Sequence, residues 1–232
     1  MVIRERARSA LSLLRSNFFG GRCFLCRGAA RELLCAECEA ELPWLAASVC
    51  PRCALASPGG ALCGRCLARP PHYDATVAAL WYRFPADALV QALKFGGELA
   101  LADYLGSVLG RRIGDERVDF VIPVPLSAAR LRERGYNQAA EIARRLGKGR
   151  LELHLCERTR DGRPQVELPF EERRRNVRGA FRVLRDLRGA SIAVVDDVMT
   201  TGATLDEIAR ALKAAGAGKV VNWVLTRTPP HD

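Results

Sequence analysis

The chain has 232 residues, 49% of them hydrophobic and 27% charged, enough to bury the core of one mid-sized domain and a smaller companion. No apolar run approaches the ~18 residues of a membrane span, so the sequence predicts no transmembrane segment. The net charge of +10 favours partners that carry phosphate, whether nucleic acid, nucleotide or sugar phosphate.

The N-terminal stretch MVIRERARSALSLLRSNFFGG is basic and then mildly apolar. Arg15 interrupts its apolar part and no small-residue cleavage site follows, which predicts a short amphipathic helix or loose arm and no signal peptide. Eight of the nine cysteines then form four C-x-x-C pairs: Cys23/Cys26, Cys35/Cys38, Cys50/Cys53 and Cys63/Cys66. Each such turn aims two thiolates at one point, and two turns complete a tetrahedral sulfur site for Zn²⁺. Ferredoxins use more compact cysteine runs, so the pattern predicts two structural zinc sites in a cytoplasmic protein. Sequential pairing gives Cys23, Cys26, Cys35 and Cys38, then Cys50, Cys53, Cys63 and Cys66; spacing alone does not exclude interleaved pairing. The ninth, Cys156, lies in the apolar stretch LELHLC and reads as a buried, inert thiol. The three histidines form no evident dyad.

After ARPP, near residue 70, the cysteines stop and longer periodic segments begin. This divides the chain into a zinc-binding part, residues 1–70, and a second domain, residues 71–232. DATVAALWYRF reads as a strand, PADALVQALKF and ELALADYLGSVLGRRI as helices, and VDFVIPVP as a buried strand cut off by prolines. A helix through NQAAEIARRLG follows, then strand GASIAVVDDV, helix ATLDEIARALKAAGA and strand KVVNWVLTR. The alternation predicts an α/β domain with an open, mostly parallel sheet, whose ligands would sit beyond the carboxyl ends of the strands.

VVDDVMTTGATL, residues 194–205, stands at one such end. Thr200, Thr201, Gly202, Ala203 and Thr204 turn out of the strand and open a helix, so their amides and the positive end of the helix dipole would cradle an anion. Asp196 and Asp197 can accept hydrogen bonds from the vicinal hydroxyls of a ribose. A helix cap alone would not require two adjacent carboxylates, which repel each other without a partner. No G-x-x-x-x-G-K-[ST] segment exists, so a nucleotide hydrolase of that type is excluded.

VVDDVMTTGATL resembles the phosphoribosyl-pyrophosphate signature of type I phosphoribosyltransferases. VIPVPLSAARLRERGYNQAAEIAR, ERTRDGRPQVELPFEERRRNVRGAFRV and ALKFGG narrow the resemblance to ComF-type proteins, whose double zinc ribbon is similar to the cysteine-rich front. The resemblance implies that Asp196 and Asp197 hold the ribose hydroxyls, with residues 200–204 on the 5-phosphate. Pro123 to Ser127, with Pro125 and Ser127 on the ligand, would form the pyrophosphate loop, beside Arg130 and Arg134. Gly135, Asn137 and Gln138 complete the RGYNQ motif. Arg158, Arg160, Gln165, Arg173 and Asn176 would belong to a mobile hood on the acceptor side. Mg²⁺ would bridge pyrophosphate and ribose oxygens, and a nitrogen acceptor would attack C1 of the ribose through an oxocarbenium-like transition state stabilised by nearby cations. Thr200 stands where purine-salvage relatives place an aspartate, which disfavours a purine acceptor. Gly162 stands where relatives often have a hood threonine.

The family is associated with DNA uptake, which implies single-stranded DNA and other competence proteins as partners. The Arg-rich run ERRRNVRGAFRVLRDLR, with Phe181 interleaved, supports an alternative role as a single-strand-binding factor without turnover. Aromatic residues make up only 6% of the chain, which argues against a long stacking platform.

Overall fold

A computed structural model of the chain describes residues 21–160 and 177–230. The basic N-terminal arm, positions 161–176 and His231 therefore lie outside the described residues. Packing divides the chain between Pro43 and Trp44.

In the smaller unit, Cys23 N–H bonds Gly28 O at 2.7 Å and Arg27 N–H returns to Cys23 O at 3.0 Å, which closes the first C-x-x-C turn. Helix α1, Ala36–Ala40, starts directly after Cys35 and carries Cys38. Among the described residues of this unit, Leu33, Leu34 and Leu42 are buried aliphatic side chains.

The larger unit begins with the second pair of turns. Cys50 N–H bonds Leu55 O at 2.7 Å, and helix α2, Gly64–Ala68, carries Cys66. This knuckle is joined to the sheet: Leu45 N–H bonds Ala79 O at 3.0 Å, Thr76 N–H bonds Pro51 O at 2.9 Å, and Arg227 Nε donates to Cys53 O at 2.9 Å. Composition changes near residue 70, but the second knuckle packs as part of the α/β unit.

The main sheet contains β1 (Ala75–Trp81), β2 (Phe120–Pro123), β3 (Arg150–Leu151), β6 (Ser191–Met199) and β7 (Lys219–Arg227), in the order β1-β7-β6-β2-β3. All four neighbouring pairs are parallel. β4 (Cys156–Arg158) and β5 (Phe181–Val183) form a separate antiparallel pair. The expected fold class is therefore the observed one. Helices α3 (Ala86–Phe95), α4 (Ala100–Ile113), α5 (Ala128–Arg134), α6 (Gln138–Ala143) and α7 (Ala203–Ala214) complete the unit.

The two faces of β6 follow from its period of two. Ile192 and Val194 pack with Leu205, Ile208, Ala209 and Leu212 of α7, whose spacing of three and four sets them on one stripe. Ala193 and Val195, also buried, point to the opposite face, which α4 and α6 cover. With both faces covered, polar groups concentrate at the strand ends. Among the described residues no helix is long and apolar enough to cross a membrane.

Candidate active site

A cleft of about 620 Å³ opens beyond the carboxyl ends of four parallel strands. Tyr82 follows β1, Val124 and Pro125 follow β2, Asp196 to Thr201 end β6, and Thr228 follows β7; all line it. This is where an open parallel sheet leaves backbone groups free to meet a ligand.

The loop after β6 is held from behind. Arg227, almost fully buried, donates through Nη1 to the carbonyls of Met199 (2.8 Å), Thr200 and Thr228 (3.1 Å). Burial lowers its pKa to about 10, so it remains a cation near neutrality. Because the guanidinium binds the carbonyls, the amides of the bend are left for something else. The N–H groups of Thr200, Thr201 and Gly202 have no acceptor among the described residues, whereas Ala203 N–H is capped by Thr201 Oγ1 at 3.1 Å. Gly202 sits at φ +83°, and a Cβ there would stand 2.7 Å from Met199 Cε, so the turn needs glycine. From it α7 runs for 12 residues, with its positive dipole end at the cleft.

Asp196 and Asp197 face the same cleft. Burial, and then the neighbouring Asp197 carboxylate, push the Asp196 carboxyl well above the usual carboxylate range, while Lys94 opposes the shift. Lys94 Nζ lies 3.0 Å from Asp197 Oδ2, and Thr226 Oγ1 donates to Asp197 O at 2.7 Å. Lys94 comes from the end of α3, within ALKFGG, a stretch whose lysine has no side-chain role readable from sequence. Arg227 was likewise not anticipated; it looks in sequence like the last residue of a strand.

The third wall is the loop after β2 and the RGYNQ turn. Pro125, Arg130, Arg134, Asn137 and Gln138 line the cleft. Asn137 Nδ2 donates to Val124 O at 3.0 Å while its Oδ1 caps α6 through Ala140 N–H at 3.3 Å, so one side chain fixes both loop and helix. Gly135, at φ +78°, ends α5, and Tyr136 Oη donates to Leu93 O, next to Lys94. Arg134 Nη1 donates to Gln138 Oε1 at 3.2 Å, but the buried Arg134 Nε and Gln138 Nε2 lack partners among the described residues. Two unpartnered donors on residues that line the cleft suit an anionic ligand.

Ser127 and the hood residues separate from this group. Ser127 is buried, caps α5 by accepting Arg130 N–H at 3.3 Å, and is not on the cleft wall. Of the hood residues, Arg158 reaches the cleft, with its guanidinium 5.6 Å from the Phe181 ring centroid. Arg160 instead donates to Arg178 O. Gln165, Arg173, Asn176 and Gly162 lie outside the described residues.

The eight paired cysteines gather as Cys23, Cys26, Cys35, Cys38 and as Cys50, Cys53, Cys63, Cys66, the sulfurs of each set within 4.8 Å of one another. Pairing is thus sequential. Cys26 and Cys35 sulfurs are 3.7 Å apart and those of Cys53 and Cys63 3.6 Å. Tetrahedral zinc with bonds of ~2.3 Å requires sulfur separations of about 3.8 Å, so both sets fit that ion. Burial opposes ionisation of Cys50, but the amides of Cys63, Cys53 and Arg52 outweigh it and bring the thiol down to about 7. Cys156 is apart from both sets; burial, reinforced by Glu157, pushes it up to about 12, in keeping with an inert thiol.

Residues 15–67 match the family described as a double zinc ribbon domain, and residues 131–229 match the phosphoribosyl transferase domain family. The DNA utilization protein YhgH of Escherichia coli O6:H1 is 33% identical over 222 residues, covering 90% of this chain and 97% of that protein. Competence protein F of Haemophilus influenzae is 31% identical over 234 residues, covering 91% of this chain and 99% of the relative. The chain belongs to the ComF family. This ComF-family protein also aligns with a solved purine phosphoribosyltransferase from Pyrococcus horikoshii Ot3 at 17% identity, over 54% of this chain and 82% of that one, with a TM-score of 0.34.

Proposed function

We propose that the cleft binds phosphoribosyl pyrophosphate with Mg²⁺ and transfers its phosphoribosyl group to a nitrogen acceptor. The observation that carries this reading is the bend of Thr200, Thr201 and Gly202, with three amides lacking acceptors among the described residues, beside the Asp196–Asp197 pair on one cleft. The amides, aided by the α7 dipole, hold the 5-phosphate. Vicinal ribose hydroxyls donate to the two carboxylates. The pyrophosphate then lies toward Pro125, where Arg130 and Arg134 stabilise its growing charge as the bond to C1 breaks. Mg²⁺ suits this set of oxygen donors, with the ligand's oxygens and the Asp196 and Asp197 carboxylates nearby; when bound it supplies charge neutralisation. Lys94 keeps Asp197 compensated until the ligand arrives.

Zinc in both thiolate clusters has a structural role in this reading, since each set uses four protein ligands and leaves no position for substrate. Reduced thiolates of this kind suit the cytoplasm. The names of the relatives support a place in the handling of incoming DNA. Calorimetric titration of the zinc-loaded protein with phosphoribosyl pyrophosphate and Mg²⁺ tests the binding step. Saturable one-site binding is expected; no heat at millimolar ligand would refute it.

A further inference from the structure

Behind the same bend lies a second cavity of about 320 Å³ whose walls include Arg65, Arg69, Tyr73, Thr201 and Gly202. It shares the phosphate-loop residues with the main cleft but opens toward the second knuckle rather than toward Pro125. Arg65 and Arg69 come from α2 and the residue after it, are exposed, and have no ion pair or side-chain hydrogen bond among the described residues. Tyr73 is only 3% exposed, and it is one of the side chains that line the cavity. It stands 3.1 Å from where a Gly202 Cβ would be, on the wall between the bend and the arginines. Asp206, the carboxylate on this wall, is already engaged: it accepts from His72 N–H at 2.7 Å and lies 2.9 Å from His72 Nδ1. Cys66 of the second thiolate set also lines the cavity, and the cationic side chains on its wall are Arg65 and Arg69.

We infer that this cavity is a second anion subsite, for a phosphate that continues beyond the 5-phosphate held by the bend. The inference rests on the proposed seating of the sugar phosphate. Phosphoribosyl pyrophosphate carries its other phosphates on C1, toward Arg130 and Arg134, and so leaves Arg65 and Arg69 unused. A ligand that reaches them is extended at its 5-phosphate. Two sources share that chemistry: a nucleoside 5′-diphosphate, and the 3′ end of a single nucleic-acid strand whose preceding phosphodiester enters the cavity. In both, two guanidinia and the Tyr73 hydroxyl would provide charge-assisted and neutral hydrogen bonds to phosphate oxygens.

The test compares uridine 5′-monophosphate, uridine 5′-diphosphate and an oligouridylate of about ten nucleotides on the zinc-loaded full chain. Arg65→Ala with Arg69→Ala, and separately Tyr73→Phe, are the variants. At least one extended ligand should bind the wild type about tenfold tighter than the monophosphate, and the arginine variant should lose that advantage with zinc content unchanged. For the oligouridylate the slope of log affinity against log salt should flatten by about 1.4 as two phosphate contacts disappear. Tyr73→Phe, which keeps the ring, should show a smaller loss in the same direction. Whichever extended ligand carries the advantage identifies the source. The inference is overturned if neither extended ligand gains over the monophosphate, if the gain survives in the arginine variant, or if zinc is lost with it, which would assign the arginines to the knuckle. Failure of the sugar-phosphate reading would appear separately, as wild-type protein that does not bind phosphoribosyl pyrophosphate with Mg²⁺.

Discussion

Replacing Lys94 with methionine probes the electrostatics of the cleft before any ligand is present. Lys94 Nζ sits 3.0 Å from Asp197 Oδ2, with side chains 19% and 11% exposed, so the pair is mostly desolvated. Removing one partner of a buried pair costs about 3–5 kcal/mol when the other charge persists. Here Asp196 can hold a proton instead, which keeps the expected loss near the cost of leaving a buried polar group unpaired, about 1–3 kcal/mol. For a chain of this size that lowers Tm by about 2–12 °C, at about 2–4 °C per kcal/mol. The pH dependence has a definite sign. The folded-state pKa of Asp196 is raised, so its favourable contribution is complete below the unfolded carboxylate pKa and lost as pH rises through the folded value. Without Lys94 the folded value rises further, and the gap between variant and wild type should widen from pH 5 to pH 8. Thermal unfolding followed by circular dichroism across that range measures it. Lys94→Met should also cost less in an Asp197→Asn background, because the uncompensated charge is then gone. A loss independent of pH, or simple additivity of the two substitutions, would refute the reasoning.

Arg227→Met should destabilise the larger unit by about 3 kcal/mol, because it leaves the carbonyls of Cys53, Met199 and Thr200 without their buried donor. Denaturant unfolding measures that loss, and calorimetry should show phosphoribosyl-pyrophosphate affinity falling with it. The two thiolate clusters should differ in consequence. Cys66→Ser disrupts a cluster that belongs to the main hydrophobic core and should lower the principal unfolding transition, whereas Cys35→Ser should release one zinc and leave that transition within about 2 °C. Metal analysis and calorimetry on each variant check both outcomes.

The strands and helices that proved readable are those whose periodicity matches burial. In GASIAVVDDV and KVVNWVLTR, apolar runs coincide with central strands covered on both faces, and ATLDEIARALKA carries its stripe at helical spacing. The short α5 was not legible: AARLRER buries no residue, and its helix follows from the Ser127 cap and Gly135. Nor was the β4–β5 pair, where three residues on each side are too few for alternation to register. The acidic pair and the bend were visible because unusual residues gather in one stretch of chain. Lys94 and Arg227 were not, because their roles arise from tertiary contacts: an ion pair across about 100 positions of sequence, and a buried donor that organises another strand's end. The extent of the second knuckle's attachment was hidden for the same reason. Its fit to β1 depends on backbone hydrogen bonds that cysteine spacing does not encode.

The most direct test of the account is calorimetric titration of phosphoribosyl pyrophosphate with Mg²⁺ into wild type and into Asp196→Asn with Asp197→Asn. The account predicts one saturable site in the wild type and affinity at least about tenfold weaker in the double variant from loss of charge-assisted bonds to ribose. A double variant that is folded, zinc-loaded and binds the ligand as tightly as the wild type would contradict it.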